Sequence, residues 1–160
     1  MASTFVSGTG CAAPTRGSAT SRIAAAGLCL ALLPGATPLA SLDVEITGLR
    51  SAKGVIQLCL TADAGAFPDC KAGGNGIKRT LSAAAPHIRF EGLAPGEYAV
   101  AVIHDANGNA RLDTMLGIPR EGFGFSRNPA IGFGPPRFNA ARFAVGVGGE
   151  TQQVRMRYLL

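Results

Sequence analysis

The stretch Glu97-Tyr98-Ala99-Val100-Ala101-Val102-Ile103-His104 reads as a strand, with Tyr98, Val100 and Val102 alternating against Ala99, Ala101 and Ile103. At a period of two this sends carbon to both faces, the mark of a strand covered on both sides. Outward from it, residues 42–49 alternate apolar with polar, as a strand with one buried face does. Residues 55–61 follow a Ser51-Ala52-Lys53-Gly54 turn, which predicts a hairpin between these two strands. Strands are also predicted over 77–81, 87–93, 138–145 and 152–159, with loop over 63–76. Short strands at close spacing without one convincing amphipathic helix predict an all-β domain, an antiparallel β-sandwich of about seven strands.

The chain has 160 residues, about one domain's length. Arg16 and Arg22 precede the apolar run Ile23-Ala24-Ala25-Ala26-Gly27-Leu28-Cys29-Leu30-Ala31-Leu32-Leu33, which gives way to small residues and prolines through Ala40. That is the order of a secretory signal peptide, with an apolar core too short for a transmembrane span. Residues 1–40 are therefore expected to be removed, with cleavage after Ala40 and Ala36 as the alternative, leaving 41–160 as a single domain in the periplasm or outside the cell. Leu28 before Cys29 argues against a lipid anchor, since an acylated cysteine wants a small residue before it. Without Arg16 and Arg22, thirteen Lys and Arg face ten Asp and Glu. So small and scattered an excess gives no reason to expect nucleic acid as a partner. Two cysteines of the expected mature chain, Cys59 and Cys70, invite a disulfide in an oxidising compartment.

After His104 the sequence turns irregular. Asp105, Asn107, Asn109 and Asp113 stand at positions 1, 3, 5 and 9 of one run. Alternating oxygen-bearing side chains can wrap a hard cation, and a Ca²⁺ ion takes six to eight oxygens. The Arg111 carbonyl and the Glu121 carboxylate are the candidate further ligands. Position twelve is Leu116 rather than the bidentate Glu of an EF-hand. The competing reading is turn chemistry alone, in which Asp and Asn side chains bond nearby backbone N–H groups. A connection running from Asp105 to Arg137 is long for a compact domain and calls for internal order. Phe123, Phe125 and Phe133 are expected to pin it to the sheet, together with Ser126 and His104 as anchors.

Catalysis finds little footing. His104 and Asp105 are adjacent on a strand, so their side chains point to opposite faces and form no natural dyad. Ser126 lies in Gly124-Phe125-Ser126-Arg127, without the strand-turn-helix setting of a nucleophile elbow. His87 is the second of only two histidines, too few for a three-histidine metal centre. The aromatic, Gly-rich run 122–138 lacks Trp, which argues against a sugar platform.

Leu93-Ala94-Pro95-Gly96-Glu97-Tyr98 resembles the turn that leads into a late strand of prealbumin-like, or transthyretin-like, β-sandwiches, where the Tyr anchors the corner. With His104-Asp105-Ala106-Asn107-Gly108-Asn109, Leu112-Asp113 and Leu116-Gly117-Ile118-Pro119-Arg120-Glu121-Gly122-Phe123-Gly124-Phe125-Ser126 following, the chain is similar to the DUF2141 family of uncharacterised exported bacterial proteins over 42–158. Cys59 and Cys70 resemble the paired cysteines of a subset of that family. The resemblance implies a periplasmic or secreted β-sandwich of prealbumin-like or Ig-like type. It implies no established activity. One departure is Ala110, where the family often carries Gly and a tight turn favours positive φ.

The function expected on these grounds is a non-enzymatic binding or accessory module of the cell envelope, with an unknown envelope component or small ligand as partner and Ca²⁺ as an optional occupant of the 105–113 loop. The alternative is a metal- or His-dependent periplasmic enzyme centred on His104.

Overall fold

The computed structural model describes residues 38–160, apart from 72, 73, 111 and 133. The expected signal peptide as far as residue 37, the Arg111 carbonyl and Phe133 thus lie outside the described residues. Strand β1 (Ala40–Thr47) sits centrally in a three-stranded sheet, antiparallel to β4 (His87–Leu93) and parallel to β10 (Glu150–Arg155). The second sheet runs β3 (Gly76–Ser82), β2 (Val55–Thr61), β5 (Gly96–Asp105), β8 (Gly122–Phe125), and β9 (Phe143–Val145) pairs the beginning of β5. All pairings in this second sheet are antiparallel. Strands β6 (Thr114–Met115) and β7 (Ile118–Pro119) form a small separate hairpin.

The period-two pattern explains the layering. Leu42, Val44 and Ile46 of β1 pack in one core with Ile56, Leu58 and Leu60 of β2 and with Val100 and Val102 of β5. At about 25 cal/mol per Å² of apolar surface removed from water, such a row supplies the main drive for stacking the sheets. A second cluster covers the outer face of the larger sheet, where Cys59, Ala99, Ala101, Phe123 and Phe125 meet Phe67, Ile131 and Phe138. Strand β5 is thus covered on both sides, as its alternation requires. The Tyr98 hydroxyl donates to the Ala94 carbonyl at 2.8 Å and fixes the corner before that strand.

Three expectations are corrected. The first two strands make no hairpin: β1 and β2 belong to different sheets, because their apolar rows bury each other face to face rather than pair edge to edge. Residues 138–145 are not one strand. A single helical turn, α1 (Phe138–Ala141), precedes β9, its Asn139-Ala140-Ala141 being short side chains, and Ala141 is fully buried against the outer cluster. The long connection is not free of strand either, since 122–125 pair with β5. Beyond β10 the chain reaches the edge of β8, where the Phe123 and Arg157 backbones exchange bonds of 3.0 and 2.8 Å. Among the described residues no helix is long and apolar enough to cross a membrane.

Candidate functional site

Strand β5 ends with two polar residues that part ways. His104 points between the sheets and is 2% exposed. Its Nε2 lies 2.8 Å from the Lys53 carbonyl, which can only accept, so Nε2 carries the proton. Nδ1 then accepts from the Tyr158 hydroxyl at 2.8 Å, and that oxygen accepts the Arg50 backbone N–H at 3.0 Å. Both ring nitrogens are spent on structure. His104 ties the segment before β2 and the C-terminal segment together, rather than the long loop it was expected to anchor.

Asp105 points the other way, to the outer face, and is fully buried. Its Oδ1 accepts the backbone N–H groups of Gly108 (2.7 Å) and Asn109 (3.1 Å), and its Oδ2 accepts Ala110 N–H (2.7 Å) and Gln57 Nε2 (3.1 Å). One carboxylate thereby folds the next five residues back upon the sheet. Ala110 adopts φ 63°, the left-handed conformation for which glycine is better suited. Burial opposes the charge on Asp105, but the N–H groups of Ala110, Gly108, Asn109 and Gln57 together outweigh it and hold the carboxyl below the ordinary range.

The remaining members of the predicted oxygen set are drawn in as well. Asp113 accepts the side-chain amides of Asn107 (2.7 Å) and Asn109 (2.9 Å), and the Asn107 carbonyl oxygen accepts Asn109 N–H (3.0 Å). Glu121 Oε2 accepts Asp113 N–H at 3.0 Å, while Oε1 is buried without a partner. Burial pushes the Glu121 carboxyl up, and the charges of Asp105 and Asp113 push it further against the N–H groups of Asp113 and Ala106. Asp105, Asn107, Asn109, Asp113 and Glu121 are thus brought into one network, in which both oxygens of Asp105 and of Asp113, the Asn107 oxygen and Glu121 Oε2 accept N–H groups. A Ca²⁺ ion takes six to eight oxygens, so binding one here would require several of these oxygens to exchange an N–H group for the cation. Among the described residues no group of three His, Cys, Asp or Glu side chains is placed to hold a metal ion.

The anchored loop encloses a cleft of 510 Å³ over the outer face of the larger sheet. Cys59, Ala101, Ile103 and Phe123 contribute to its floor, and Leu112, Thr114, Gly117 and Pro119 to the wall on the side of β6 and β7. Ile131 and Pro135 line it as well. Cys59 and Cys70 are disulfide-bonded, with Cα atoms 5.6 Å apart, and bring Pro68 and Asp69 to the rim. Lys78 pairs in register with Cys59 and so shares the outer face, exposed at the cleft edge. The sequence reading missed this cleft. Its signal is the row of small residues, Cys59, Ala99 and Ala101, that alternates with the larger Leu58, Val100 and Val102 and leaves room on the outer face.

Phe123 and Phe125 are buried beneath the loop, with the Phe67 and Phe125 ring centroids 5.9 Å apart. Ser126 is fully buried, accepting Val100 N–H at 2.9 Å and donating to the Ala141 carbonyl, one of the carbonyls that end α1. It is a rivet between β5 and the helical turn. Neither the His104 pocket nor Ser126 gathers a nucleophile, base and orienting group.

The model of a family described as an uncharacterized protein conserved in bacteria, DUF2141, matches residues 44–154. No curated protein matches, and no solved structure matches.

Proposed function

The chain belongs to DUF2141, and on that premise we propose that it is a non-enzymatic binding module of the bacterial cell envelope whose cleft takes a small ligand with an apolar body and one anionic end. The cleft carries this reading. Its volume lies within the range of small-molecule sites, roughly 300–1,000 Å³. Its floor is mostly carbon, and the exposed Lys78 stands at its edge on the outer face of the sheet. An apolar anion matches both features. The Asp105 network supports the reading by holding the wall in place without the ligand, which lowers the ordering cost of binding. In this reading the loop's carboxylates have a structural task, and no cation is required for it.

Export belongs to the same proposal. A disulfide persists in an oxidising compartment, and the apolar run 23–33 has the order of a leader. Ala40 is buried and pairs with Leu93. Cleavage after Ala36 keeps β1 whole, so N-terminal sequencing of the periplasmic protein is expected to begin at Thr37; a chain that keeps Met1 would overturn the export reading.

The cleft is tested with 8-anilinonaphthalene-1-sulfonate, an apolar sulfonate. The native chain is expected to bind it, decanoate to displace it, and Lys78→Glu to weaken binding at least about tenfold, the loss of one charge contact. Absence of native-state binding, or equal binding by Lys78→Glu, overturns the proposal.

A further inference from the structure

The hairpin of β6 and β7 carries apolar side chains where solvent exposure favours polar ones. Met115 pairs with Ile118, leaving Leu116 and Gly117 as a two-residue turn with φ 52° and 79°. Turns with positive φ at both central residues favour Asn-Gly or Asp-Gly. A leucine there brings its Cβ against the following carbonyl. Leu116 is 97% exposed, so no packing within the fold offsets that strain, and Met115 (50%), Ile118 (43%) and Leu112 (38%) stand exposed around it.

We propose that this tip inserts into the interfacial region of a lipid bilayer that carries anionic headgroups. The surrounding charge fits such a surface. Arg120 is exposed just past β7, and Lys78 is exposed at the cleft that the hairpin walls. The carboxylates at the hairpin base are turned inward, Asp113 to the Asn107 and Asn109 amides and Glu121 to Asp113 N–H. Aliphatic side chains projecting from a narrow tip can enter the boundary between headgroups and acyl chains without a shaped partner, and basic residues beside them add attraction to anionic lipid. A protein partner would call for about 1,000 Å² of complementary surface with aromatic or arginine anchors. The tip itself is aliphatic throughout. The proposal stands apart from the identity of the cleft's ligand.

The chain contains no Trp, so Leu116→Trp places a single reporter at the tip. Val147→Trp reports from the exposed turn between β9 and β10. With vesicles of phosphatidylglycerol and phosphatidylcholine the Leu116→Trp chain is expected to shift its emission to the blue and to be quenched by brominated acyl chains, less so with phosphatidylcholine alone, while Val147→Trp keeps the emission of a water-exposed indole. Leu116→Asn, which suits the turn, is expected to lower vesicle binding at least about tenfold with unchanged or higher melting temperature. Water-like emission at position 116 with both vesicles, or equal shifts at both positions, overturns the proposal. So does a dimer that Leu116→Asn abolishes without any vesicle response, which would make the partner a second copy of the chain.

Discussion

The Tyr158 hydroxyl donates a hydrogen bond to His104 Nδ1 across 2.8 Å and so joins the last described segment of the chain to the end of β5. The two rings meet edge to face with centroids 6.1 Å apart, and the Arg50 guanidinium carbon lies 4.2 Å from the centroid of the Tyr158 ring.

Tyr158→Phe keeps the ring and its arginine but leaves the buried Nδ1 without a donor. We expect a loss of about 1–3 kcal/mol in urea denaturation, the cost of one unsatisfied buried polar group. An unchanged midpoint would mean that water replaces the hydroxyl.

Asp105→Ala removes the acceptor for three backbone N–H groups and the Gln57 amide. The expected cost is roughly 3–5 kcal/mol. The same variant is expected to bind the naphthalene sulfonate more weakly, because the cleft wall is no longer held. Since the wild-type loop is closed by its own N–H groups, 10 mM Ca²⁺ is expected to leave its melting temperature unchanged; a rise that Asp105→Ala abolishes would show a cation in the loop.

The two shifted carboxyls give opposite slopes with pH. Asp105 has its folded value lowered, so its stabilisation is present above the unfolded carboxylate range and fades as pH falls through the folded value. Glu121 has its folded value raised, so stability is fullest below the unfolded value and declines as pH rises through the folded one. Denaturant titrations at a series of pH values should show Asp105→Asn removing the loss at the acid end and Glu121→Gln removing the decline at higher pH.

Ala110→Gly relieves a left-handed Ala at φ 63°. The relief of about 1–2 kcal/mol exceeds the added freedom of Gly in the unfolded chain, so we expect a net gain of roughly 0.5–1 kcal/mol in chemical denaturation.

Reduction of Cys59–Cys70, or their joint replacement by Ala, opens a loop of eleven residues' separation. A loss of about 2–4 kcal/mol is expected, measured as the difference between oxidised and reduced chains.

The strands were legible where alternation was regular. The predicted spans 55–61 and 87–93 coincide with β2 and β4, and the apolar row of β5 announced a sheet covered on both sides. The disulfide was expected from two cysteines in the part of the chain read as mature, and the structure bonds them. Strand β8 escaped because Gly122 and Gly124 hide its period. Their missing side chains make room for the Tyr158 ring and for Val154 and Met156, while Phe123 and Phe125 face outward, so the alternation is Gly against Phe. Sheet membership was beyond local pattern: the rows of β1 and β2 fit a hairpin or a stacked pair equally well until the partners from β4, β5 and β10 are known. The Asp and Asn side chains of the run bond to one another and to the loop's backbone, but side-chain type alone does not say whether such oxygens face N–H groups or a cation.

The parallel pairing of β1 with β10 has a consequence for how the molecule is made. Val44 finds its neighbour Gln152 only after nearly the whole described chain has left the ribosome. Contacts so distant in sequence form slowly and late, because loop closure must be met before they contribute. Until then the smaller sheet has only β1 and β4, and the apolar face of β1 lacks its last flank. A nascent chain arranged this way keeps the edge of β1 that β10 will take unpaired through most of synthesis, and completes its smaller sheet only when that strand is delivered.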